Sequence, residues 1–226
     1  MTGFIGILSL DTRFPRIQGD SGNPESYHLP ARVRVIDGAS GAAIVRDGPP
    51  DEAFVARFIE AARAFESEGA VLITSSCGFL VSVQHRIARA VNVPVMLSGL
   101  CLVPLALHMT AGRPVGVLTA SAQSLGPSIL AAAGIDPDQI RIAGLEHRAA
   151  FADTFLPSRA SQNVRFDVAQ MERLVVEEGR ALIARAPEIG VVILECGNLP
   201  PYAEALRHAL GRPVLSILDG ARLLSG

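Results

Sequence analysis

Residues 70–79, AVLITSSCGF, and residues 190–202, GVVILECGNLPPY, decide how the rest of the chain is read. In each, a short run of aliphatic and β-branched residues leads to a cysteine, Cys77 or Cys196, and then to a glycine. Apolar runs of this length suit a strand buried on both faces of a parallel sheet. The carboxyl end of such a strand is where open α/β sheets place their chemistry. One cysteine there would be weak evidence, because free cysteine is commonly a small buried hydrophobe. Two in equivalent settings, 119 positions apart (196 − 77) in 226 residues, predict a duplicated fold with a thiol from each half facing one cleft.

The flanking segments repeat in the same order. In the first half GFIGILSL (3–10), ARVRVIDG (31–38), AVLITSSC (70–77) and VPVMLS (93–98) read as strands. In the second half the matching strands are RPVGVLTAS (113–121), IRIAGLE (140–146), VVILEC (191–196) and RPVLSILD (212–219). Helical spacing appears at Phe54, Phe58, Ala61, Ala62 and Phe65, and again at Val168, Met171, Leu174, Val175, Leu182 and Ile183. Further helices are read in VSVQHRIARAV (81–91), SLGPSILAAAG (124–134) and PYAEALRHALG (201–211). Strands alternating with helices predict an α/β fold of two pseudo-symmetric lobes, each a mainly parallel sheet with helices on both faces. The lobes are expected at 1–109 and 110–226, with the C-terminal segment crossing back onto the first. The active site is expected in the cleft between them.

Composition narrows the function. Hydrophobic residues make up 49% of the chain, enough for a sizeable core, and the net charge of −2 supplies no basic field for nucleic acid. All 20 basic residues are arginine. The lack of lysine excludes a Schiff-base lysine and a Walker lysine on this chain. No GxGxxG follows a strand, and no CxxC or HExxH points to a metal, so the expectation is chemistry on side chains alone, without cofactor or metal. The opening MTGFIGILSLD lacks the basic start of a signal peptide, and VPVMLSGLCLVPLALHM is interrupted by Pro94, Gly99 and Pro104. With three cysteines and no dense disulfide framework, the expected setting is cytoplasmic, away from membranes.

A thiol at a strand end, ahead of a helix N-terminus, feels the positive end of the helix dipole, so its pKa is expected to fall from roughly 8.5 toward neutrality. Two such thiols on opposite sides of a small molecule form an acid and a base. One removes a proton from carbon while the other delivers a proton to the opposite face. Cys101, in SGLCLVP, has no counterpart in the second half and is read as core. His28, His85, His147 and His208 are scattered and carry no expected role.

The two strand-end cysteines, GVLT (116–119) and ECGN (195–198) followed by a helix together resemble the aspartate/glutamate racemase superfamily, over essentially the whole chain. That group includes amino-acid racemases, hydantoin racemase, maleate cis–trans isomerase and arylmalonate decarboxylase. The resemblance implies a cofactor-independent racemase or isomerase in which Cys77 and Cys196 carry the acid and base roles. Amino-acid racemases of the group carry Asn and Thr after each cysteine. Here Cys77 is followed by Gly78 and Phe79, and Cys196 by Gly197 and Asn198. That departure points away from free aspartate or glutamate and toward a less polar carboxylate or a cyclic amide, held by backbone N–H groups near Gly78 and Gly197.

The same resemblance adds Asp11 and Thr12, which are similar to the Asp-Ser of glutamate racemases, although as a loop pair they equally close a turn. Ser76 is a candidate hydroxyl donor. Thr119 and Ser121 end the first strand of the second half, where the family contributes hydroxyls or amides, while Ser121 is equally a helix cap. Arg13 and Arg16 lie in a long loop able to close over an anion, and surface solvation explains them equally well. The expected partner is a small molecule; whether the chain forms a homo-oligomer is left open. Maleate-type isomerisation, malonate decarboxylation and non-enzymatic binding of a small acid are the rival readings.

Overall fold

The computed structural model describes residues 3–226. The first lobe contains β1 (Phe4–Leu10), β2 (Ala31–Ile36), α1 (Gly41–Ile44), α2 (Glu52–Ser67), β3 (Ala70–Ser75), α3 (Gln84–Ala88) and β4 (Val95–Met96). Its sheet is parallel throughout, in the order β2-β1-β3-β4. After α4 (Val103–Met109), the second lobe contains β5 (Val115–Thr119), α5 (Pro127–Ala132), β6 (Ile140–Gly144), α6 (Ala149–Phe155), α7 (Val168–Arg185), β7 (Val191–Leu194), α8 (Ala203–Leu210), β8 (Val214–Leu215) and α9 (Ile217–Ser225). Its sheet repeats the order as β6-β5-β7-β8, again parallel. The strand equivalences read from the sequence therefore hold one by one.

Every residue of β1, β5 and β7 is buried, as continuous apolar runs in parallel sheets require. On α2 the core face is Val55, Phe58, Ala61, Ala62 and Phe65, close to the helical spacing expected. Full burial of Phe58 and Phe65 contributes roughly 1.5–3 kcal/mol each. Val168 is the exception on α7: it opens the helix and is exposed.

Three segments differ from expectation. RPVLSILD is a strand only at Val214–Leu215, because Ser216 then caps α9 in a capping box with Asp219. VPVMLS likewise pairs only through Val95 and Met96. VSVQHRIARAV begins inside a 3-10 turn, Gly78–Val83, before α3 starts at Gln84.

Both lobes send their last segment to the other. The turn Gly99–Leu102 packs on β7 and α4 packs on β5, while α9 packs on β3, β4 and that same turn. One continuous core consequently runs from Leu8 and Ile73 through Leu100 and Val103 to Val117 and Ile193. This exchange holds the carboxyl ends of β3 and β7 beside each other. No helix of the described residues is long and apolar enough to cross a membrane.

Candidate active site

Cys77 lies two residues beyond β3 and Cys196 two residues beyond β7. Behind Cys77, Ser75 Oγ accepts the Cys77 N–H at 3.2 Å and lies 2.6 Å from the Leu97 carbonyl, which fixes the turn. The N–H groups of Phe79 and Leu80 face the Cys77 sulfur. On the other lobe, Cys196 Sγ lies 3.5 Å from Asn198 Oδ1, and the Asn198 N–H also faces that sulfur. Both cysteines line one cleft, together with Thr12, Ser76, Gly78, Phe79, Gly197 and Asn198.

The loop after β1 straps this cleft. Arg16 NH1 pairs with Asp20 Oδ1 at 3.0 Å, and its NH2 reaches Thr12 Oγ1 at 3.2 Å and Ser76 Oγ at 3.4 Å. Asp20 Oδ2 accepts from Asn198 Nδ2 at 2.7 Å, and Ser21 N–H donates to the Gly197 carbonyl at 2.9 Å. A hydrogen-bonded chain thus runs from Ser76 beside Cys77, through Arg16 and Asp20, to Asn198 beside Cys196. Leu10, Phe14, Val45, Phe155 and Leu156 complete an apolar wall.

Three of the expected binding residues do not reach the lining. Asp11 pairs with Arg159 at 2.6 Å and accepts the Gly38 N–H. Ser121 is engaged with Ser124, hydroxyl to hydroxyl at 3.0 Å. Thr119 donates to Glu195 Oε2 at 2.7 Å and so stands one residue behind the cleft. Arg13 is exposed, whereas Arg16 lines the site.

The expectation of lowered thiol pKa values is overturned. Burial, then the Glu195 carboxylate, push the Cys77 thiol up to about 12, against the Phe79 and Leu80 N–H groups and Arg16. Burial and Glu195 likewise hold Cys196 well above the ordinary thiol range. The turns that follow the cysteines are short 3-10 segments, Gly78–Val83 and Pro200–Tyr202, and their dipoles are too small to offset desolvation. Both shifts favour the neutral thiol.

Glu195 was missed by the sequence reading, although an acid closing the apolar run VVIL is a recognisable signal. It is buried, lines the cleft, and is pushed up to about 7 by burial, against the Thr119 hydroxyl and the Ala120 N–H. A carboxyl whose folded pKa lies above its unfolded value binds more protons when folded, so stability falls as pH rises from 4.5 to about 7. The stability advantage of Glu195→Gln over wild type is expected to grow by about 3 kcal/mol between about pH 4 and about pH 8. Urea unfolding at the two pH values measures it.

Residues 27–223 match the family model described as Asp/Glu/Hydantoin racemase. Among curated proteins the chain is similar to dimethylsulfoniopropionate lyase 7 of Emiliania huxleyi (strain CCMP1516), with 29% identity over 95% of this chain. It is also similar to dimethylsulfoniopropionate lyase 5 of the same organism, with 35% identity over 96% of this chain. The chain spans 64% and 44% of the length of these two relatives. Among solved structures, unliganded arylmalonate decarboxylase superposes with a TM-score of 0.57 at 17% identity, covering 100% of this chain and 93% of that one, a likeness of fold.

Proposed function

The chain belongs to the Asp/Glu/hydantoin racemase family, and on that footing we propose that it is a cofactor-independent enzyme that moves a proton at the carbon α to a carboxylate or carboxamide. Cys77 and Cys196 serve as base and acid, and a substrate without a leaving group is racemised or isomerised. One observation carries this reading: a thiol from each lobe lines the same small cleft. A carbon held between them loses its proton to one sulfur and gains a proton from the other on the opposite face. The base form is the thiolate. N–H groups that favour it already face each sulfur, and protonation of Glu195 removes the charge that most opposes it after burial.

Arg16, Ser76, Thr12 and the amides near Gly78 and Gly197 are the groups proposed to hold the carboxylate. The aromatic wall of Phe14, Phe79 and Phe155 favours a less polar acid or a cyclic amide over free aspartate.

A second reading is β-elimination, favoured by the two lyases that align over 95% and 96% of this chain. Its first step is the same. In dimethylsulfoniopropionate the α C–H bond breaks and its electron pair forms the carbon–carbon double bond. The C–S bond breaks with its pair leaving on dimethyl sulfide, and acrylate remains. Only the base is then required.

Incubation in D2O with chiral 2-aryl carboxylates, 5-substituted hydantoins and dimethylsulfoniopropionate separates the two. α-Deuterium incorporation with loss of optical purity, followed by NMR and chiral chromatography, supports racemisation. Release of dimethyl sulfide supports elimination. Absence of both from every substrate contradicts α-proton chemistry. Cys101→Ala is expected to leave the rate within about twofold, because Cys101 lies outside the lining, with its sulfur toward Gln84 Oε1 at 3.7 Å.

A further inference from the structure

Glu195 is the one buried carboxyl in the cleft lining that proton transfer between the cysteines leaves unused. Its two oxygens differ. Oε2 accepts the Thr119 hydroxyl at 2.7 Å, while Oε1 is buried without a hydrogen-bond partner. A buried polar atom left unpaired costs free energy, and such an atom in a native site calls for an explanation. Oε1 also lies against the bare Cα of Gly78, the residue following Cys77, although Glu195 itself belongs to the other lobe. Glu195 therefore sits where the two lobes meet, immediately before Cys196 in its own lobe and against the residue that follows Cys77 in the other.

We propose that Glu195 is a further catalytic residue, donating a hydrogen bond as the neutral acid from Oε1 to the substrate's carboxylate and holding the enediolate formed when the α-proton leaves. The asymmetry of its partners fits a protonated carboxyl, with Oε2 as the carbonyl oxygen facing a donor and Oε1 as the hydroxyl lacking an acceptor. Burial already raises this group to about 7, and an incoming carboxylate raises it further through like-charge repulsion. A carboxylic acid kept neutral in an apolar site stabilises charge that develops on a substrate oxygen. No bond to Glu195 forms or breaks. The proton stays on the acid while electron density gathers on the oxygen it touches. The assignment rests on the reading of the cleft as an α-proton site.

Propionate is the probe, since its binding is read without turnover. Affinity is measured by calorimetry from pH 6 to 9 for wild type, Glu195→Gln and Glu195→Leu, with thermal unfolding as a folding check. The charged and titratable groups that share the cleft with Glu195 are Cys77, Cys196 and Arg16, which is paired with Asp20. The thiols are pushed upward by burial, away from this window. Wild-type affinity is expected to fall roughly tenfold or more as pH rises and the donor ionises. Glu195→Gln is expected to keep the pH 6 affinity throughout, because its amide supplies a donor that does not titrate. Glu195→Leu, if folded, is expected to bind weakly at every pH. Wild-type binding that is flat with pH, or no binding of propionate, overturns the proposal. So does a Glu195→Gln variant that binds propionate but loses α-deuterium exchange, which would make Glu195 a proton-transferring base. If propionate binds as expected and no substrate exchanges its α-hydrogen, the α-proton reading fails while the contact with Glu195 stands.

Discussion

Alanine at Cys77 or at Cys196 is expected to lower racemisation by roughly 10²–10⁴-fold, the range for removing a positioned proton-transfer group. Each thiol serves one face of the carbon, so neither variant completes an inversion. Elimination behaves differently, because it uses one base: one alanine variant keeps that activity and the other loses it. The pair of variants therefore separates the two chemistries on one substrate panel. Circular dichroism spectra should overlay wild type, since each change removes a single buried sulfur and leaves in place the turn bonds from Leu80 N–H to the Cys77 carbonyl and from Leu199 N–H to the Cys196 carbonyl. Equal wild-type turnover in both variants would remove the thiols from the mechanism.

Gly197→Ala and Gly78→Ala are expected to damage both stability and site. Space is the reason, since neither glycine has positive φ. A Cβ on Gly197 would collide with Ser21 Oγ and the Ser76 carbonyl, and one on Gly78 with the carbonyl and Oε1 of Glu195. At each glycine one of the obstructing atoms is a backbone carbonyl of the other lobe, Ser76 or Glu195, which cannot rotate away. Overpacking of this kind costs about 1–3 kcal/mol, which for a chain of this size lowers the melting temperature by roughly 2–12 °C. Because the displaced segments carry Cys77 and Cys196, activity should fall further than stability. Calorimetric scans of both variants beside wild type, with turnover measured well below the melting point, separate the two losses. Alanine variants with unchanged melting temperatures would contradict the packing at the lobe junction.

The duplicated sheet was legible because its cues are local. Apolar runs at 4–10, 70–75, 115–119 and 191–194 are long enough to demand burial, and their repeated order yields the topology. Edge strands were legible only in part. β4 and β8 pair over two residues each, so little sequence is committed to them, and the capping pattern from Ser216 to Asp219 was overridden by the apolar residues between. In the site, Cys77, Gly78, Cys196 and Gly197 follow from position along their strands. Arg16 and Asp20 do not, because nothing local says where a loop of that length lies; their place depends on contacts to Ser76 and to Asn198, far along the chain. The thiol pKa values were misjudged for a similar reason. A helix start is visible in sequence, whereas the desolvation that outweighs it comes from the whole fold closing over both sulfurs.

The most direct test of two thiols acting on one carbon is deuterium washout from each enantiomer of a racemised substrate in Cys77→Ala and Cys196→Ala. Each variant is expected to exchange the α-hydrogen of one enantiomer only, with opposite preference in the two variants, and neither is expected to invert the centre. Exchange of both enantiomers at equal rates by a single-cysteine variant, or the same preference in both variants, would contradict it.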